Sequence, residues 1–116
     1  MKILAIESSA GPASCAITQD GDILAEAGVN TRLTHSQTLM PMVQDMLRNS
    51  QTALTDIDVL AVAAGPGSFT GVRIGVAAVK GLAFARGIPC AAVSTLAAMA
   101  ENLRGVPFDG VICSVM

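Results

Sequence analysis

The sequence has no tryptophan, no tyrosine and only three phenylalanines. Its 52% hydrophobic content is therefore mostly aliphatic, rich in alanine and valine, which predicts close backbone packing rather than large aromatic wedges. Charged residues are also scarce, at 14%, so the chain does not have the composition of a disordered segment. Seven basic residues face nine acidic ones, for a formal net charge of −2 and no positive run. That balance lacks the electrostatics of a primary nucleic-acid binder. There is one histidine, His35, and three scattered cysteines, Cys15, Cys90 and Cys113. A zinc site lacks ligands, and the odd, unclustered thiols point to a reduced, cytoplasmic setting. No apolar run approaches the roughly 18 residues that cross a membrane. Glu7 interrupts the first apolar stretch too early for a signal peptide. Neither a metal nor another cofactor is expected.

The 116 residues amount to about one domain. Residues 2–8 predict a buried strand. Ser14–Gln19 and Ile23–Val29 predict two more, joined by a tight turn at Asp20-Gly21-Asp22, so the first thirty residues form an antiparallel meander. Leu39, Met42, Val43, Met46 and Leu47 follow one helical face over about 36–49, with capping hydroxyls at Thr34 and Ser36. Asp58–Ala64 is a short apolar strand without alternation, as expected for one covered on both faces. A helix over about 68–86 follows, capped by Ser68 or Thr70 and closed by Gly87. Pro89–Val93 predicts a strand, Ser94-Thr95 caps a helix to about Leu103, and Val111–Met116 predicts a last buried strand. The order is that of a ribonuclease H-like mixed sheet, which is also the half-unit of actin-like ATPases. Because the chain stops in an apolar strand, a second lobe is expected to be missing from it.

The segment Gly65-Pro66-Gly67-Ser68 lies between a strand and a helix. Such a turn either brings backbone N–H groups to an anion at the helix N-terminus or lets the helix pack tightly after a sharp bend. It is neither a Walker A loop nor a dinucleotide fingerprint. Glu7, Ser8 and Ser9 end the first strand, where an acidic residue can serve a divalent cation. With Gly65, Gly67 and Ser68 they form a candidate vestigial phosphate loop. A two-metal nuclease needs a second carboxylate at the end of the next strand, and Ala63-Ala64 provides none. Gly67, Gly71 and Gly75 recur every four residues, beside Ile74, Ala78 and Leu82, which predicts close approach of another backbone from this chain or from a partner. The methionine-rich helix offers an adaptable surface. The candidate partner interface is therefore Leu39, Met42, Val43, Met46, Gly71, Ile74, Gly75, Ala78 and Leu82. Arg73, Lys80 and Arg86 share one helix and form a weak basic strip. No catalytic residue is assigned.

Three segments carry a family resemblance. They are Met1–Ser9, His35-Ser36-Gln37-Thr38-Leu39-Met40-Pro41 and Gly65-Pro66-Gly67-Ser68-Phe69-Thr70-Gly71-Val72-Arg73-Ile74-Gly75. Together with Gly81-Leu82-Ala83 and Val93–Ala98 they resemble the TsaB (YeaZ) family over essentially the whole chain. The resemblance implies the N-terminal half of an actin-like fold. It also implies a non-catalytic subunit in the making of threonylcarbamoyladenosine in tRNA. That subunit would bind the catalytic paralogue TsaD through the first two helices, with TsaE joining the assembly. tRNA would be reached only through the complex, and a homodimer is expected when TsaD is absent. The metal-binding histidines of TsaD would fall at Thr95 and Met99, neither of which can replace imidazole. The alternative reading is an actin-like nucleotide-binding phosphotransferase or ATPase.

Overall fold

A computed structural model describes residues 1–31 and 33–116; Arg32 lies outside the described residues. Strands β1 (Lys2–Glu7), β2 (Ala13–Gln19) and β3 (Asp22–Val29) are followed by helix α1 (His35–Asn49) and a short 3₁₀ turn (Leu54–Asp56). Then come β4 (Val59–Ala63), α2 (Phe69–Arg86), β5 (Cys90–Val93) and α3 (Thr95–Glu101). The sheet order is β3-β2-β1-β4-β5. β1 pairs antiparallel with β2, Leu4 opposite Ile17, and parallel with β4, Leu4 opposite Leu60. The predicted mixed sheet is thus present, with β1 at its centre.

Local chemistry sets the boundaries. The β2–β3 turn places Asp20 and Gly21 at φ 52° and 90°, the left-handed region that Asp and Gly tolerate best. Gln37 Oε1 accepts the Thr34 backbone N–H at 3.3 Å at the start of α1. Ser68 Oγ accepts from the Gly71 N–H at 3.3 Å, and Gly87 ends α2 at φ 66°. Pro41 lies in the second turn of α1.

Alternation along the strands divides the sheet into two faces. Leu4, Ile6, Cys15, Ile17, Leu60 and Val62 point to one side. There they pack with Leu39, Met42, Val43 and Met46 of α1 and Val79 of α2. On the other face a recess of about 460 Å³ has a floor that includes the small side chains of Ala5, Ala16 and Ala61. Val93 and Ala98 border it.

The last predicted strand does not form. Val111–Met116 has no strand partner and is largely exposed. Apolarity marks a segment as suited to a sheet, but a strand exists only where a neighbour completes its ladder. β4 is paired on both edges, by β1 and β5, but it is not covered on both faces as expected: Leu60 and Val62 are buried in the core, while Ala61 lines the recess on the other side. α3 also ends at Glu101, earlier than Leu103.

Candidate functional site

β1 and β4 run parallel, so their C-terminal ends lie side by side, where ligands commonly bind in open α/β sheets. Glu7-Ser8-Ser9 leaves β1 there, and Gly65-Pro66-Gly67-Ser68 leads from β4 into α2, with a cis peptide before Pro66. The structure therefore brings together all six residues of the candidate phosphate loop. Several of their hydrogen-bonding groups are engaged internally. The Ser9 N–H donates to Glu7 Oε1 at 2.6 Å, and the Ser9 hydroxyl donates to the same oxygen. The Ser8 hydroxyl, fully buried, donates to the Gly71 carbonyl at 2.8 Å. The Ser68 N–H donates to the Ser9 carbonyl at 2.7 Å, while its hydroxyl caps α2. Gly65 accepts from the Thr95 N–H at 2.9 Å, which ties the turn to α3.

The glycines explain this closeness. A Cβ on Gly67 would lie 2.6 Å from the Ser9 carbonyl oxygen. A Cβ on Gly71 would strike the Ser8 carbonyl oxygen, and one on Gly75 the Ser8 hydroxyl. The backbone that approaches the four-residue glycine row is therefore the end of β1, in the same chain. Periodicity alone left that choice open.

The nine residues expected at a partner interface do not form an open face. Leu39, Met42, Val43 and Met46 are buried beneath the sheet, and Gly71 and Gly75 are closed by Ser8. Ile74, Ala78 and Leu82 are half-buried against the same core. The reason is that amphipathic spacing identifies the face a helix buries, and here the core of the chain itself fills that role. The basic strip also needs correction. At about 100° per residue, thirteen residues carry Arg86 roughly 140° away from Arg73, so only Arg73 and Lys80 lie together.

His35 Nε2 lies 2.8 Å from the Ala10 carbonyl and pins the loop after β1 to the start of α1. Among the described residues no three of His, Cys, Asp and Glu converge as metal ligands. Thr95 is buried with its hydroxyl unpartnered, and Met99 is exposed. That orphan hydroxyl carries no sequence signal. Cys15 sits in the core with its thiol 3.6 Å from Met46 Sδ, and burial pushes its pKa up to about 11. No helix is long and apolar enough to cross a membrane among the described residues.

Comparison with known proteins settles the family. The family described as TsaD, tRNA N6-adenosine threonylcarbamoyltransferase, matches residues 23–114. The Escherichia coli "tRNA threonylcarbamoyladenosine biosynthesis protein TsaB" is 48% identical over 102 residues, which are 88% of this chain and 44% of that protein. The chain belongs to the TsaB (YeaZ) family. The solved "YeaZ from Pseudomonas aeruginosa" superposes at TM-score 0.82 and 39% identity, covering 88% of this chain and 47% of that one. The RuvC of Thermus thermophilus superposes at TM-score 0.58 with 16% identity over 90% of this chain and 70% of that one, which bears on the fold alone. The architecture is accordingly that of the ribonuclease H-like and actin-like ATPase class. The chain spans about half the length of the curated relatives it matches.

Proposed function

We propose that the chain is one lobe of a non-catalytic subunit required for threonylcarbamoyladenosine formation in tRNA. It acts by binding the TsaD-type transferase in the cytoplasm, with TsaE as a further member of the assembly. The observation that carries this reading is the similarity to TsaB across 88% of the chain. The chemistry of the site supports it. Thr95 and Met99 stand where the resemblance puts the paralogue's histidine ligands. A thioether and a hydroxyl do not hold a borderline metal in place of two imidazoles. The Ser8 and Ser9 hydroxyls and the Ser9 and Ser68 amides are already bonded within the chain, which favours a scaffold over the alternative phosphotransferase or ATPase.

The test is reconstitution with the full-length protein, the TsaD-type transferase and TsaE from the same source, with tRNA, threonine, bicarbonate, ATP and the enzyme that forms threonylcarbamoyl-adenylate. Modified nucleoside should form only when this protein is present, and the protein without the transferase should form none. Modification at full rate without it, or by it alone, overturns the reading.

A further inference from the structure

The two edges of the sheet are unequal. β5 ends one side with four residues, whereas β3 offers eight at the other. An edge strand leaves a row of backbone N–H and C=O groups without a ladder, and proteins blunt such edges with lysine, proline, bulges or short length. β3 has no lysine and no proline. Its irregularity lies near its start, where Leu24 is skipped in the register with β2: Ile17 meets Ala25 and Thr18 meets Ile23. From Ala25 to Val29 the pairing is regular, and the outer edge of that stretch is open.

Beside this edge lies a groove of about 620 Å³ between β3 and α1. Ala25 and Ala27 of the strand and the buried Met42 and Met46 of the helix make its floor, and exposed Pro41 and Asn49 stand on its rim. The small side chains of β3 leave this space unfilled. Methionine is flexible, so the floor adapts to aliphatic side chains of differing shape.

Alternation gives the edge two different sides. Ala25, Ala27 and Val29 pack toward the core and α1, whereas Glu26, opposite Ala16, faces the recess on the other side of the sheet. Glu26 is exposed and meets no cation among the described residues. A strand laid along β3 would put one set of its side chains over the groove and the alternate set beside Glu26. The first position suits aliphatic residues and the second suits basic ones. A second copy of the chain is disfavoured there. β3 carries Asp22 and Glu26 and no basic residue, so two β3 strands side by side would bring like charges together.

We propose that β3 is a strand-addition site. It takes an extended partner segment of alternating aliphatic and basic residues as a sixth strand of the sheet, with the aliphatic side chains in the groove against α1. Main-chain hydrogen bonds supply the affinity, and the groove and Glu26 supply the selectivity. The site is a strand edge and the flank of one helix, and it does not depend on the proposed function.

The experiment titrates the full-length protein with a capped peptide of alternating lysine and valine, as long as β3. Binding should protect the outward-facing amides of Ala25–Val29 from hydrogen exchange. A glutamate–valine peptide should bind at least tenfold more weakly, and Glu26→Lys should reverse that preference while the melting midpoint stays near that of the unsubstituted protein. Successive N–H groups of a strand point to opposite edges. Methylating the valine amides and methylating the lysine amides should therefore have unequal effects, one at least tenfold weaker and the other little changed. If the lysine–valine peptide does not bind at millimolar concentration, the site falls. If it binds but leaves the β3 amides unprotected, or if both methylated peptides bind like the parent, the attraction is one of charge alone and the inference is overturned. If the β3 amides are protected in the protein by itself, and more so as its concentration rises, a second copy occupies the edge and the inference is likewise overturned.

Discussion

The Ser8 hydroxyl donates to the Gly71 carbonyl at 2.8 Å, joining the end of β1 to the first turn of α2. The same serine blocks side chains on both buried glycines, through its carbonyl at Gly71 and its hydroxyl at Gly75. Gly75→Ala should destabilise by about 1–3 kcal/mol, the usual cost of overpacking. Gly75→Leu should leave little folded protein, rather than a folded protein with a blocked interface. Ser8→Ala should recover part of the Gly75→Ala loss, because the clashing atom is removed. It should recover none of the Gly71→Ala loss, where the obstacle is backbone. Urea melts of the single and double variants give the coupling. Additive losses at Gly75 would contradict the contact.

Cysteine reactivity should divide two to one. Cys90 and Cys113 are exposed, while Cys15 is buried with its pKa raised to about 11. A thiol reagent at pH 8 should label two cysteines in the native protein and a third only in denaturant. The Cys15 contribution to stability should be complete below its ordinary value of 9.0. It should fade as pH rises toward about 11, because only the unfolded chain gives up the proton easily in that window. Cys15→Ala should flatten the alkaline limb of the stability profile.

The Thr95 hydroxyl is buried without a hydrogen-bond partner. An orphaned polar group of this kind costs about 1–3 kcal/mol. Thr95→Val keeps the shape and deletes the orphan, so the thermal midpoint should rise. A fall would show that the hydroxyl has a partner.

Binding of tRNA by the protein alone should be weak and shallow in salt. Arg48 and Arg104 are paired with Asp45 and Glu101, and Arg73 and Lys80 make a patch of only two cations. Two phosphates neutralised by that patch contribute a log–log salt slope of about −2. Titration at low and physiological salt, with and without the transferase, measures it. Tight, salt-steep binding by this protein alone would move tRNA recognition onto it.

Most of the fold was legible in the residues. The meander, the two helices and the strands at β4 and β5 follow from period, turn chemistry and caps such as Ser68 and Gly87. The strand at Val111–Met116 was not, because apolar composition is local information whereas a ladder partner is not. The site divides the same way. Glycines at 67, 71 and 75 announce a close approach, yet only the three-dimensional path of β1 reveals that Ser8 and Ser9 make it. Helical period likewise separates two faces of α1 and α2 without saying that the more apolar one is the interior.

The central place of β1 also sets an order of events. β1–β3 can zip together from hairpins between neighbours in the chain, on the microsecond scale of local pairing. The β1–β4 ladder joins Leu4 to Leu60 across an intervening meander and helix. Closing that long loop must precede any reward from the buried Leu60 and Val62. On the ribosome, β1 emerges before β4 and therefore waits with one edge open until β4 has followed, and variants that slow this one closure should prolong the interval in which that edge is exposed to other chains.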